Sequence, residues 1–354
     1  MPIMSALFKR RLGSWPGLST IARPRRTLGR MILAGDIGGT NTRLAIFDEH
    51  AKLVGTPSKF PTGNGSGLED YVRRVLKESG QGVKRACIAV AGPVINGVCR
   101  STNIGRTFVE SDIRATLGLD KLTLINDLVA NASGIETLDA SEIVTVVDGE
   151  DTVGSRAVCS PGTGLGEGLL IYEGQYHHAY PSEGGHSRFA PTNADERGVL
   201  NFLSEKNGDV IVEHVLSGRG IGNIFDYYVS TGRTPAKAVA DELAAVATKD
   251  RGGVISKAAL DGKCDVCVAT MGLFVHALAI ECASLAVKGF AIGGIYVGGG
   301  IPPKILPLLK GNAFREAFVT HVTMGEFLKR VPVRVILNDD TALEGAALYG
   351  LRFG

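Results

Sequence analysis

From residue 31 onward, short apolar runs alternate with stretches whose apolar residues recur at helical spacing. The segment 31–48 (MILAGDIGGTNTRLAIFD) reads as two strands of apolar and β-branched residues that turn at Gly38-Gly39. Further strand-like runs stand at 86–92 (ACIAVAG) and 122–127 (LTLIND), interleaved with amphipathic helical patterns at 68–78 and near 110–117. Strands alternating with helices predict an α/β layered architecture.

The pattern restarts near residue 143. There EIVTVV and RAVCSPGTGLGEGLLIYEGQ again place apolar runs on both sides of a glycine-rich turn, and the plan of 31–48 reads as repeated. Helical patterns are predicted over 195–206, 209–216, 220–230, 234–247 and 265–288, the last leading into GGIYVGGGIPP. The chain closes with a strand at 332–337 and a helix beginning after Asn338-Asp339-Asp340, all good N-cap types. No linker rich in Pro, Gly or Ser separates the halves, so the boundaries are expected within ordered chain. The expectation is a small lobe of 31–136 plus 338–354, a large lobe of 137–337 and a cleft between them.

Composition narrows the class. A chain of 354 residues suggests two domains, and 44% apolar with 21% charged residues excludes a disordered or tail-like protein. Glycine is the exception to an ordinary composition: 47 residues, close to twice the usual share of about 7%. Backbone conformation or close approach is being selected somewhere.

The net charge of +2 is unevenly placed. Residues 1–30 carry seven Lys or Arg and no acid, whereas the remainder is mildly acidic. That body has no basic stripe, so no nucleic-acid partner is expected. The Arg-rich leader has the composition of an organelle import signal, and equally that of a disordered extension or an over-long reading frame. The expectation taken is a basic extension outside the fold and a cytoplasmic protein, with organelle import as the alternative. No run of 18 apolar residues is uninterrupted, since His276, Glu281 and Lys288 break the most hydrophobic stretch, so no membrane partner is expected. Six scattered cysteines suit reduced thiols, and the lone Cys264-x-x-Cys267 lacks the second ligand pair of a structural zinc site.

Several segments could carry chemistry. In Asp36-Ile-Gly38-Gly39-Thr40 an acid ends a strand, two residues without Cβ follow, and then a hydroxyl. Such a turn lets backbone N–H groups approach an anion, and Asp36 could hold Mg²⁺ directly or through water. A plain hairpin turn reads equally well. Gly162-Thr163-Gly164-Leu-Gly166 repeats the recipe, and Gly298-Gly299-Gly300 opens a third glycine turn. Neither the P-loop pattern nor G-x-G-x-x-G occurs, so any nucleotide is held differently.

Asn126-Asp127 ends an apolar strand, where open α/β sheets place ligand crevices. Asp127 reads as a general base or, with equal weight, as a helix N-cap; Asn126 could orient a ligand hydroxyl with its amide. Glu183-Gly-Gly-His186 sets a carboxylate and an imidazole three residues apart, as a polyol site or a surface turn. Glu213 lies in a helical pattern and reads first as a solvated charge, and His177, His178 and His214 lack metal-ligand spacing.

The ordered set DIGGTN, LINDL, GTGLG, EGGH, LSGRG and YVGGGI resembles the bacterial-type ATP-dependent glucokinases of the actin-like ATPase and hexokinase superfamily, over residues 31–354. That resemblance implies an α/β, two-lobed actin-like (ribonuclease H-like) fold with glucose and ATP in the cleft, lobe closure on sugar binding, and a homodimer. It implies phosphate contacts at Asp36, Gly38, Gly39, Thr40, Gly162, Thr163 and Gly164, adenosine contacts at Gly298, Gly299 and Gly300, and Mg²⁺ near Asp36. It further implies a catalytic Asp127 and sugar contacts at Asn103, Asn126, Asp127, Glu183, His186 and Glu213. Glucose 6-phosphate and ADP would be the products. The cysteine-rich zinc motif of related sugar kinases is missing after EGGH, so zinc is not expected, and no winged-helix segment suits a DNA-binding repressor. The alternatives are a kinase for another hexose, a non-catalytic sugar sensor, and an actin-like or chaperone ATPase, which has no reason to carry EGGH.

Overall fold

The computed structural model describes residues 31–63, 67–80, 82–101 and 104–354. The basic leader and Asn103, named above, lie outside the described residues.

The chain opens with β1 (Ile32–Ile37), β2 (Asn41–Phe47), β3 (Leu53–Pro61), α1 (Leu68–Ser79) and β4 (Arg85–Val90). A small ribbon follows, β5 (Val94–Ile95), β6 (Val98–Ser101) and β7 (Arg106–Val109), and then α2 (Glu110–Leu117), β8 (Lys121–Asn126) and α3 (Asp127–Gly134). Next come β9 (Ile143–Val147), β10 (Arg156–Pro161), β11 (Leu165–Tyr172) and β12 (His177–Ser182). The helices α4 (Ala194–Asn207), α5 (Gly218–Ser230), α6 (Lys237–Ala245), α7 (Arg251–Leu260) and α8 (Asp265–Lys288) precede β13 (Ile295–Val297). The short α9 (Leu306–Leu309), α10 (Asn312–Val319) and α11 (Gly325–Leu328) lead to β14 (Val333–Ile336) and the final helix α12 (Thr341–Arg352).

Two main sheets share one plan. The first is ordered β3-β2-β1-β4-β8 and the second β12-β11-β10-β13-β14-β9. In each, an antiparallel three-strand meander is extended by two parallel strands: β1, β4 and β8 run parallel, as do β10, β13 and β14. The repeat heard in the sequence is therefore a repeat of topology, with β9 added antiparallel at the far edge. Parallel strands buried on both faces demand apolar residues at every position. The core segments ACIAV (86–90) and IYV meet that demand, with every residue buried.

Helices α3 and α12 pack together between the sheets. One buried cluster joins Ile32, Ala34 and Cys87 of the first sheet to Val158, Leu170 and Tyr296 of the second through Val129, Ala130, Leu343 and Ala347 of these two helices. Their backbones nearly touch: a Cβ on Gly345 would collide with the Ala130 carbonyl, and one on Gly134 with the Thr341 carbonyl. A separate core lies under α1 and α2, and the largest lies between the second sheet and α4 to α10. Helix α8 is long and apolar enough by composition to cross a membrane, but it runs through this largest core with most of its residues buried. All six cysteines are buried free thiols, and Cys264 forms the N-cap of α8.

Some predicted elements differ. The stretch 209–216 is not a helix but a single 3₁₀ turn at Val212–His214, because Ile211 bridges to Arg188 and the chain is drawn back toward β11. Helix α7 begins Arg-Gly-Gly, whose glycines hide its helical signal, and β3 is a largely exposed edge strand without clear alternation. Asp340 does start α12, but its carboxylate pairs with Arg43 at 2.9 Å and makes no cap hydrogen bond.

Candidate active site

The turn after β1 is a tight hairpin, closed by the Gly38 N–H donating to the Asn41 carbonyl at 3.0 Å. Thr62, just after β3, braces it: its hydroxyl donates to the Gly38 carbonyl at 2.8 Å and its N–H to the Thr40 carbonyl at 2.9 Å. Neither Gly38 nor Gly39 has a left-handed φ, and a Cβ on Gly39 would meet nothing. The fold itself does not require glycine there; open access to the backbone N–H groups is what the missing Cβ provides. Asp36, one residue before the end of β1, has no hydrogen-bond or ion-pair partner among the described residues. Its carboxyl sits above the usual carboxylate range because it is shielded from water, an effect that Arg43 opposes and Asp340 reinforces.

At the end of β8 the two candidate roles of Asn126 and Asp127 separate. Asn126 is the N-cap of α3: its Oδ1 accepts the Leu128 N–H at 2.8 Å, and its Nδ2 donates to the Gly92 carbonyl at 2.9 Å. Capping of this type stabilises a helix by about 1 kcal/mol. Asp127 is the first helical residue, and its Oδ1 shares the same Leu128 N–H at 3.0 Å. Its Oδ2 has no partner among the described residues. Burial raises the Asp127 pKa to about 6, helped by the negative charges of Asp36 and Glu183, although the Leu128 N–H pulls the other way.

The second sheet supplies the opposite wall. The β10–β11 turn is closed by Gly162 N–H donating to the Gly164 carbonyl at 2.8 Å, while the Gly162 carbonyl accepts from Gly218 N–H, at the start of α5, at 2.8 Å. Glu213 is not a solvated helical charge. It leaves the 3₁₀ turn to accept the Leu165 N–H at 3.0 Å, and a Cβ on Gly164 would strike its carboxylate. Gly299, with φ of 82°, folds the third glycine turn against Pro161, beside Gly162. Glu183 and His186 face each other at 3.2 Å on an exposed turn, with side chains 57% and 59% exposed. The two glycines between them are dictated by contact: a Cβ on Gly184 would collide with Glu167 and one on Gly185 with the Leu165 carbonyl.

The fold thus gathers Asp36, Asp127 and Glu183 within electrostatic reach of one another. It ties Glu213 to the Gly162–Gly166 turn and sets Gly298–Gly300 next to it. Among the described residues no three His, Cys, Asp or Glu are grouped to hold a metal. Sequence reasoning missed Thr62, Arg43 and Ser217, which brace or orient these turns. Ser217 caps α5 by accepting the Gly220 N–H at 3.0 Å and donates to the Glu213 carbonyl at 2.8 Å. Its position before the Gly-Arg-Gly start of a helical pattern was the available signal.

Known proteins resemble this chain in sequence and fold. The family model for glucokinase matches residues 33–352. The glucokinase of Trichormus variabilis is 34% identical over 343 residues, covering 91% of this chain and 99% of that protein. The glucokinase of Tolumonas auensis is 32% identical over 325 residues, covering 91% and 97%. Among solved structures, the glucokinase from an Antarctic psychrotroph superposes with a TM-score of 0.78 at 31% identity, covering 91% and 99%. A ROK family glucokinase from Streptomyces griseus, solved with glucose and AMPPNP, shares the fold at a TM-score of 0.61 and 22% identity, covering 90% and 98%. The architecture is the two-lobed α/β actin-like ATPase fold. On this coverage and identity, the chain belongs to the glucokinase family of ATP-dependent hexose kinases.

Proposed function

We propose that the chain transfers the γ-phosphoryl group of MgATP to the 6-hydroxyl of D-glucose in the cleft between its sheets, with Asp127 as the general base. The observation that carries this reading is the Asp127 carboxylate: Asn126 does the capping, one Asp127 oxygen has no partner among the described residues, and burial holds the group near 6. A base of that strength is mostly ionised at neutral pH and still basic enough to take a proton as the hydroxyl attacks. The bond from sugar O6 to phosphorus forms as the bond from phosphorus to the β,γ-bridging oxygen breaks. The hydroxyl proton passes to Asp127, and ADP leaves.

The protein's part in such a transfer is positioning and electrostatics. In this reading the turns Gly38 to Thr40 and Gly162 to Gly164 receive phosphate oxygens through the N–H groups that their closing hydrogen bonds leave free, those of Gly39, Thr40, Thr163 and Gly164, and Gly298 to Gly300 receive the adenosine. Glu183, His186 and Glu213 bind sugar hydroxyls, together with the remaining amide N–H of Asn126. The Asp36 carboxylate fits Mg²⁺: it is half-buried and unpartnered, and Mg²⁺ usually takes one or two carboxylates together with substrate phosphates and water. When bound, the ion would offset charge on the phosphate oxygens. The glucokinase of Balamuthia mandrillaris, solved with glucose, and the Streptomyces griseus protein, solved with glucose and AMPPNP, support sugar and ATP as the ligands.

The test is a panel of hexoses with MgATP, following ADP release. Glucose should give the highest kcat/KM. A higher value for mannose, fructose or an N-acetylated hexosamine would reassign the substrate, and tight glucose binding without ADP release would leave a sensor instead of an enzyme.

A further inference from the structure

Away from the cleft, where the α3–α12 layer meets the second sheet, a cavity of about 420 Å³ is lined by Glu136, Ile143, Arg156, Tyr296 and Arg352. Its walls come from both halves of the fold: Glu136 follows α3 and Arg352 ends α12, whereas Arg156 starts β10 and Tyr296 lies in β13.

The charges of this cavity do not balance internally. The Glu136 carboxylate is saturated, with one oxygen on His177 Nδ1 at 2.6 Å and the other on Arg352, and these partners hold it down to about 2 despite its burial. His177 Nε2 faces the Gly154 carbonyl at 2.9 Å. Arg156 is different. Among the described residues it makes no hydrogen bond and no ion pair, its Nε is shielded from water without a partner, and its guanidinium lies over the face of Tyr296 at 5.7 Å. Arg334, on the same ring at 5.8 Å, is already paired with Asp151 at 2.6 Å.

A guanidinium carries five donors, and a shielded donor without an acceptor is unfavourable. Such a group beside a cavity whose one carboxylate is already taken by Arg352 and His177 leaves one positive charge uncompensated, which describes a receptor for an anion. The unpaired Arg156 fork, with the donors of Arg352 that Glu136 does not take, favours a phosphoryl group, and the volume leaves room for a small organic body against Ile143. We propose that this cavity binds a small phosphate monoester through Arg156 and Arg352. An occupant held by both guanidiniums would tie the α3–α12 layer to the second sheet at the end of α3 opposite Asp127.

The experiment is calorimetric titration of the full chain saturated with glucose and Mg-AMPPNP, so that the glycine turns are already filled. Inorganic phosphate and glycerol 3-phosphate are titrated separately into wild type, Arg156→Met and Arg352→Gln. One site per chain is expected, tighter for the ester, with Arg156→Met weakened about tenfold or more, as for loss of a charge-assisted pair. Arg156→Met should keep its phosphate-free kcat and KM, which also reports that it folds, and Arg352→Gln should weaken binding independently. Equal binding of both probes supports the site with free phosphate as its occupant. Absence of heat with wild type, or an Arg156→Met titration that overlays wild type, overturns the proposal.

Discussion

Asn126 Oδ1 and Asp127 Oδ1 accept the same Leu128 N–H, at 2.8 and 3.0 Å, so two adjacent side chains share the first free donor of α3. The sharing fixes the Asp127 carboxyl at the end of β8 and leaves its second oxygen for other chemistry. A helix start also carries partial positive charge, which holds a carboxylate there without a lysine or arginine partner.

Replacing Asp127 by Asn keeps the shape of the side chain and removes its basicity. We expect kcat to fall by roughly 10² to 10⁴, the usual range for a positioned base, while glucose affinity by calorimetry changes little. Turnover near wild type would remove Asp127 from the reaction.

The pH dependence has a definite sign. In the proposed reaction Asp127 must be ionised to take a proton, so activity should rise with pH through about 6, the value set by burial and by Asp36 and Glu183. Glu183→Gln deletes one of those negative charges, so the acidic limb of kcat/KM should move to lower pH while the glucose KM increases. A limb that stays in place would mean that Glu183 exerts no field on the base.

Much of this was legible in the sequence, and the reasons are local. Asp36, Asn126 and the Gly162 turn sit at the ends of strands whose apolar runs are unmistakable, so both element and position followed from pattern. The Glu213 contact was hidden, because it depends on a 3₁₀ turn folding back onto Leu165 across 48 residues of chain. The pairing of Arg43 with Asp340 spans 297 residues and connects the two ends of the described fold, which no periodicity encodes. Nothing in the sequence around Arg156 singles it out, and only its lack of an acceptor among the described residues marks it.

The α3–α12 crossing should be intolerant of any side chain. In Gly345→Ala the new methyl would occupy the space of the Ala130 carbonyl and crowd the Gly134 N–H, so the helices must separate and strain the core between the sheets. Overpacking of this kind costs about 1–3 kcal/mol, or more where backbone is the obstacle. Urea denaturation should report that loss. A glycine replaced by alanine in an open helix would instead gain up to about 1 kcal/mol, so a more stable variant would show that the backbones are not in contact.

The strongest pH effect on stability should come from a carboxyl outside the proposed chemistry. Glu167 lies within β11 with 2% exposure, its Oε1 has no partner among the described residues, and Oε2 lies against Gly184 in the Glu183–His186 turn. Burial raises its pKa to about 8; nearby Glu281 adds to the rise and Lys288 opposes it. In the unfolded chain the group ionises near its ordinary value of about 4.5, so above that pH the unfolded state has released a proton that the folded state still holds. Stability should therefore decline as pH rises from about 5 and level off above about 8, with a slope of up to about 1.4 kcal/mol per pH unit while only one state is ionised. Glu167→Gln cannot ionise and should flatten this part of the curve, whatever its offset from wild type. Parallel wild-type and Glu167→Gln curves between pH 5 and 8 would show that the decline has another source.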